Sequence, residues 1–415
     1  MNILLVNTFH YNRGGDCVYT FELANLLGSK RHKVVHFAME HPFNFTSEYS
    51  GYFVPEIDLA EELKKKSFGA GVRVLKRTIY SNLAKKKLSG LLDNHRVDIA
   101  HIQNIHGHIT PSIFHVLKKK NIPIVWTLHD YFLLCPNSSF YSKNRVCEAC
   151  KGNKFYNVVI NKCRKNSFAA SFIVMFEEYI HRLLGLLKIV DYFITPSRFM
   201  RDKFIQYGFP VDKIMHIPNF ININKNNETE QDGEETYILY GGRLSYEKGL
   251  KTLIRAFSLV KGTRLLIAGD GPLRQKLEEE VDENRWSRIE FTGHQNRETL
   301  LKLIRDAIFV TLPSECYENF PYTILEAFAE AKPVLGSQIG GIPELVKHRE
   351  TGLLFEPGNA HDLAEKIKWL LDHPEERREM GMRARELVLE KYNPHLHYKQ
   401  LIKIYKKALE RHKTL

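Results

Sequence analysis

Ser314-Glu315-Cys316-Tyr317-Glu318-Asn319-Phe320-Pro321-Tyr322-Thr323-Ile324-Leu325-Glu326-Ala327 reads as a crossing from a buried strand to a helix. The apolar run Ala307 to Leu312 before it has the character of a strand covered on both faces. From Tyr322 to Ala331 the pattern is helical, with Pro321 at the entry, where a missing N–H does no harm. Such a crossing exposes free N–H groups and the positive end of a helix dipole, a natural seat for phosphate. Glu318 lies in the loop and Glu326 on the helix. A solvated loop acid and a surface helix acid would account equally well for this pair taken alone. Glycosidase carboxylates face one bond at roughly 5–10 Å. Here the four helical residues from Tyr322 to Glu326 already span about 6 Å, before the loop is added. The two acids are better suited to holding hydroxyls on separate parts of one extended ligand.

Working outward, the same rhythm recurs on both sides. Downstream of a polar stretch at 221–235, strands are expected at 236–241, 263–268, 288–292, 307–312, 333–336 and 352–355, with helices between them. Upstream, strand-like runs fall at 2–6, 33–38, 98–102, 122–128, 190–195 and 213–217. Helical patterns lie near 17–27, 56–65, 72–93, 110–120, 168–188 and 197–207. Strand alternating with helix is the signature of a parallel α/β sheet. A chain of 415 residues has room for two such domains. They are drawn at 1–220, with an insertion at about 130–167, and at 236–393, with 221–235 as linker. The basic helix at 394–415 has no place in the second sheet and is expected to cross back to the first domain.

In the first unit Asn12-Arg13-Gly14-Gly15-Asp16 follows a strand and precedes a helix, so a ligand phosphate could approach Gly14 and Gly15 closely. It is not a full G-x-G-x-x-G and lacks the following ribose acid, which disfavours a dinucleotide site. After the first strand of the second unit comes Gly241-Gly242-Arg243-Leu244-Ser245-Tyr246-Glu247-Lys248-Gly249, which projects Arg243 and Lys248 into the crevice above the sheet. An Arg fork and a Lys point charge suit a diphosphate. Gly269-Asp270-Gly271-Pro272, Gly340-Gly341-Ile342-Pro343-Glu344 and Thr351-Gly352-Leu353-Leu354-Phe355 follow later strands. Loops at strand C-terminal ends converge on one crevice in such sheets.

The ordered set GGRLSYEKG (241–249), GDGP (269–272), ENFPYTILEAFA (318–329), GGIPELV (340–346) and TGLLFEPG (351–358) resembles the retaining glycosyltransferases of family 4. The N-terminal Gly14-Gly15, TLHD (127–130) and TPSRFM (195–200) extend the resemblance over nearly the whole chain. It implies a GT-B architecture, with two Rossmann-like domains facing a cleft, acceptor on the first and nucleotide sugar on the second. It also implies transfer with retention and no metal in catalysis, and the absence of an Asp-x-Asp triplet agrees. Matched residue by residue, Arg243 and Lys248 are the diphosphate pair, Glu326 takes the ribose hydroxyls and Glu318 the hydroxyls of the donor sugar. Gly14 and Gly15 lie near the diphosphate, and His129 orients or polarises close to the reacting sugar. Asn319, Phe320, Tyr322 and Thr323 complete the donor loop. Many members read Glu-Gly-Phe-Gly where this chain has Glu318-Asn319-Phe320-Pro321; Pro321 cannot donate an N–H, so one main-chain contact is lost. The acceptor implied is a saccharide or lipid-linked saccharide in polysaccharide or glycan biosynthesis. A sugar-nucleotide epimerase of the same architecture, or a nucleotide-sugar-binding protein without catalysis, are the alternatives. Turnover without acceptor would favour the first, and loss of Glu318, Arg243 or Lys248 the second; all three residues are present.

Cys135, Cys147, Cys150 and Cys163 fall in the insertion with the spacing C-x11-C-x2-C-x12-C. That is compatible with a structural zinc, although it matches no standard finger, and a Cys-rich loop after His-Asp is seen in some similar transferases. Four unrelated thiols are the competing account. Residues 1–220 carry 30 Lys/Arg against 17 Asp/Glu, whereas the remainder carries 30 against 31, so the net charge of +12 belongs to the first half. Lysine triplets at 64–66, 85–87 and 118–120 supply part of it, and no nucleic-acid-binding signature accompanies them. They suggest an anionic membrane surface or an anionic substrate. The start reads as a strand and not as a signal peptide, and Phe168 to Val190 is broken by charges. The expectation is a cytoplasmic protein, peripheral at the inner face of the membrane.

Overall fold

The computed structural model describes residues 1–56, 77–223 and 237–413. The helix expected at 56–65, the start of that at 72–93 and most of the linker lie outside the described residues. In the first half β1 (Asn2–Val6), β2 (Lys33–Phe37), β3 (Ile99–Ile102), β4 (Ile124–Thr127), β7 (Tyr192–Thr195) and β8 (Ile214–His216) form a parallel sheet ordered β2-β1-β3-β4-β7-β8. In the second half β9 (Tyr237–Gly241), β10 (Arg264–Ala268), β11 (Ile289–Gly293), β12 (Phe309–Leu312), β13 (Val334–Ser337) and β14 (Gly352–Phe355) form another, ordered β11-β10-β9-β12-β13-β14. Both are doubly wound, as the GT-B architecture requires. Every residue of β3, β4, β9, β12 and β13 is buried, because helices cover both faces of a parallel sheet.

Two local departures from the sequence reading have simple causes. The pattern at 168–188 ends as a helix at Leu183, because Gly185 turns left-handed at φ 63° and starts a 3-10 turn, Leu186–Ile189. Within the insertion, β5 (Tyr141–Ser142) and β6 (Arg145–Val146) make a hairpin whose two turn residues, Lys143 and Asn144, both have positive φ. The usual glycine is missing from that turn, so no sequence signal announced it.

The helix Pro394–Lys413 packs on the first sheet, not on the second. Its Leu401, Ile404, Tyr405 and Ala408 share one apolar cluster with Ile3, Leu5, Val125 and Ile194. The Tyr405 hydroxyl meets His101 Nδ1 at 2.6 Å beneath that sheet, and His397 Nε2 lies 3.1 Å from the Tyr19 hydroxyl. Tyr322 of the second domain joins this cluster and donates its hydroxyl to the Phe220 carbonyl at 2.5 Å. The domain junction is therefore a continuation of core packing.

Candidate active site

In the second sheet β9 and β12 are neighbours while their following helices leave in opposite directions. This is the topological switch point, where a crevice opens at the strand C-terminal ends. The loop after β9 carries Arg243 and Lys248, and the loop after β12 carries Glu318. Lys248 Nζ lies 2.5 Å from Glu318 Oε1, and the Ser314 hydroxyl donates to the same oxygen at 2.5 Å. Burial alone would lower the Lys248 pKa, but the Glu318 carboxylate beside it carries it above the usual lysine value. Lys248 therefore keeps its charge. Arg243 is exposed, and its guanidinium makes no ion pair or hydrogen bond among the described residues. The crevice thus holds one fixed cation and one free one.

The glycines of the surrounding loops serve backbone approach as much as turning. A Cβ on Gly249 would sit 1.8 Å from the Pro313 carbonyl oxygen, and one on Gly341 1.8 Å from that of Asn319. Gly269 leans on Gly242 in the same manner. The loops carrying Gly249 and Gly341 are thus pressed against the 313–321 segment, which fixes Glu318, and Gly269 backs the first of them. Gly249 also has φ 68°. Gly249→Ala is accordingly expected to displace the Lys248 loop, reducing both melting temperature and donor affinity, by about 2 kcal/mol or more in stability. Differential scanning fluorimetry with and without ligand checks this.

Glu326 is buried on the helix Tyr322–Ala329. Burial raises its carboxyl to about 7, against the pull of Arg297, whose Nε lies 3.6 Å away. Arg297 also reaches Glu22 of the first domain at 2.8 Å. Sequence reading missed Arg297 and Glu22; they are 275 positions apart and belong to no motif. Thr323 lies below, with its hydroxyl 3.5 Å from the Gly241 carbonyl, and Phe320 is buried against Tyr392. Asn319 points across the cleft. Its Nδ2 donates to the carbonyls of Leu128 and His129, and its Oδ1 accepts from the Ser197 hydroxyl at 3.0 Å.

On the first domain Gly14 is the cap of the helix Gly15–Ser29, extended and without a side-chain capping bond. A Cβ on Gly15 would lie 3.5 Å from the Tyr322 Cβ, so this turn faces the helix Tyr322–Ala329 directly. His129, just past β4, places Nε2 2.7 Å from Gln103 Oε1. Burial lowers its pKa, with Asp16 and Asp130 opposing. The imidazole is thus held neutral and oriented, beside a pocket lined by Gln103, Asn104, His106, Trp126 and Asp130. Glu177 and Glu178, read from sequence only as interruptions of an apolar run, are buried on the helix Phe168–Leu183. Glu178 is raised to about 8 by burial, with Arg182 opposing and Asp130 adding to the rise. A separate cavity of 690 Å³, lined by Glu22, Leu26, Phe220, Asn222, Leu389 and His395 among others, contains no residue of the 241–249 or 314–321 loops.

The insertion reaches the second domain. Tyr141 donates to Glu315 Oε2 at 2.9 Å, and Tyr317 donates to Glu148, which also pairs with Lys203. Its four cysteines are free thiols, and no group of three or more His, Cys, Asp or Glu among the described residues is arranged to hold a metal. The tetrahedral zinc expected from Cys135, Cys147, Cys150 and Cys163 is therefore not supported. Burial raises Cys135 to about 11, with Cys163 and Cys147 adding to the rise, and a small apolar cluster around Phe132, Val158 and Val174 packs within the segment.

A family model described as Glycosyltransferase Family 4 matches residues 13–225, and one described as Glycosyl transferases group 1 matches 222–387. The chain belongs to glycosyltransferase family 4. A glycosyltransferase of Methanocaldococcus jannaschii is 32% identical over 52% of this chain and 60% of its own. The alpha-D-kanosaminyltransferase of Streptomyces kanamyceticus is 31% identical over 41% of this chain and 45% of its own. The matches thus span only about half the length of these relatives. HepE of Anabaena, solved in complex with UDP, superposes with a TM-score of 0.68 over 98% of this chain and 100% of its own at 16% identity. At that identity the likeness carries the fold alone, and it is the GT-B fold. Among the described residues of this family 4 glycosyltransferase no helix is long and apolar enough to cross a membrane.

Proposed function

We propose that this glycosyltransferase moves a sugar from a nucleoside-diphosphate sugar to a hydroxyl of a saccharide or lipid-linked saccharide, with retention and without a catalytic metal. The observation that carries the reading is the meeting of Lys248 and Glu318, with Arg243 exposed beside them, at the switch point of the second sheet. Arg243 and Lys248 would take the diphosphate, with Lys248 exchanging part of its contact with Glu318 for phosphate oxygen. Glu318 would hold hydroxyls of the sugar, and Glu326 those of the ribose once Arg297 yields. Gly14 and Gly15 would close over the diphosphate from the first domain, with the loop from Asn319 to Thr323 beneath it.

In the reaction the bond from the anomeric carbon to the diphosphate oxygen breaks, and negative charge grows on the leaving phosphate. Cations aimed at that charge are the largest electrostatic aid available. The acceptor attacks from the same face, and its hydroxyl proton passes to the departing phosphate oxygen. His129, neutral and oriented by Gln103, would position the sugar and not accept that proton. HepE, bound to UDP-glucose in another structure, supports a uridine-linked donor as the first to try.

The test is a thermal-shift screen against UDP-, GDP-, ADP- and dTDP-linked sugars beside the bare nucleotides. One nucleotide class is expected to raise the melting temperature, and the rise should vanish in Arg243→Ala. NMR of the product with a saccharide acceptor should show the donor's anomeric configuration kept. Conversion of the donor without acceptor would favour an epimerase, and binding without any turnover a sensor.

A further inference from the structure

The helix Phe168–Leu183 is built inside out. Its buried residues include Ser171, Glu177, Glu178 and His181, whereas its exposed ones are Phe168, Ala169, Phe172, Phe176 and Leu183, not one of them polar. A surface helix of a water-soluble domain shows the reverse. Phe168, Phe172 and Phe176 stack as a ladder, with centroids 6.4 and 6.2 Å apart and interplanar angles of 18° and 6°. The packed helix Tyr156–Ile160 adds two more, with Tyr156 and Ile160 48% and 69% exposed. A contiguous exposed apolar face of this kind marks a contact with another phase or molecule.

The rim identifies which. Lys151, Lys154, Lys162, Lys165 and Lys188 are all exposed around it, and between Lys143 and Lys188 no Asp or Glu side chain is exposed. The turn holding Lys151 and Lys154 is tied to the helix, because Tyr179 donates to the Asn153 carbonyl at 3.0 Å. Aromatic residues on one face with lysines at its margin fit the interface of an anionic bilayer. A second copy of the chain docking by the same face would set these lysines against each other.

We propose that the outer face of Phe168–Leu183, with Tyr156 and Ile160, inserts into the headgroup boundary of an anionic lipid bilayer. This surface is not one of the lysine triplets. It does not rest on the glycosyl-transfer reading, although it bears on it. The same helix is tied to the loop after β4, where Arg182 donates to the Leu133 carbonyl at 2.6 Å, so a helix of about 10 Å diameter lies between the lipid-facing ladder and that loop. An acceptor held in the bilayer would be delivered there.

The test is sedimentation of the full chain with vesicles of phosphatidylcholine alone and with added phosphatidylglycerol. Binding is expected to the anionic vesicles and to weaken with salt. Phe172→Ser/Phe176→Ser should lower the partition coefficient by about tenfold or more. Lys162→Glu/Lys165→Glu should lower it and flatten its salt dependence. In both, the melting temperature and its shift with nucleotide sugar should be kept, since these side chains lie on the surface. Phe172→Trp should show blue-shifted emission with anionic vesicles only. Absence of binding to anionic vesicles, or equal binding by the phenylalanine variant, would overturn the proposal. So would a dimer in light scattering that the phenylalanine substitutions dissolve.

Discussion

Lys248→Ala is expected to lower kcat/KM by about 10²–10³-fold, the usual loss when one pre-aimed group at a developing negative charge is removed. Lys248 is held for this task before any ligand arrives: its Nζ sits 2.5 Å from Glu318, which is itself fixed by Ser314. Glu318 keeps the ammonium charged despite its burial. Alanine removes the cation and leaves Glu318 with a hydroxyl as partner, at a stability cost of about 1–2 kcal/mol, since the lysine side chain is still 26% exposed. Lys248→Arg keeps the charge but cannot reproduce a point charge on a thin stem, and should recover only part of the loss. Affinity for the bare nucleoside should stay unchanged while that for the nucleoside diphosphate falls, which isothermal titration resolves. A kcat/KM within threefold of the parent would remove Lys248 from the chemistry.

Glu326→Gln is expected to weaken nucleotide binding and to stabilise the free protein above neutral pH. Burial lifts the folded-state carboxyl from 4.5 to about 7, so the folded form holds a proton that the unfolded chain has released in that interval. Stability linked to this group is complete below about pH 4 and falls as pH rises through 7. A shift of that size corresponds to about 3 kcal/mol as an upper limit. Glutamine cannot ionise, and Arg297 keeps Glu22 at 2.8 Å. Urea midpoints between pH 5 and 8 should decline in the parent and decline less in the variant. If the two run parallel, Glu326 is not the titrating group. If nucleotide affinity is also unchanged, the ribose role is wrong.

The alternation of apolar runs and helical patterns was legible because each element needs only its own neighbours in sequence. All twelve strands of the two large sheets fall within two residues of the runs read from sequence. The donor loops were legible for a related reason. Lys248, Gly249 and Glu318 sit in loops after strands, where the chain must turn and where ligands meet backbone, and Glu326 sits on the helix that follows one of them. The β5–β6 hairpin was not legible, since its left-handed turn uses Lys143 and Asn144 without glycine. The four cysteines do gather in the insertion, each near enough to raise the pKa of another, yet among the described residues no three of them are arranged to hold a metal, a matter of distance that spacing along the chain does not set. Asn319 was read only as part of the donor loop, and its side chain also ties that loop to Leu128, His129 and Ser197 of the facing domain, which no motif announces.

By itself, then, the sequence determined two parallel α/β units, the family and the loops to which its chemistry is assigned as a proposal, because periodicity and turn chemistry act over a few residues. Tertiary structure alone decided which partner each charge has: Lys248 with Glu318, Arg297 between Glu22 and Glu326, and buried Glu177 and Glu178 behind an outward ladder of phenylalanines. Those pairings join residues far apart in the chain. Their strength is set by burial and distance, quantities that exist only once the two sheets have closed on each other.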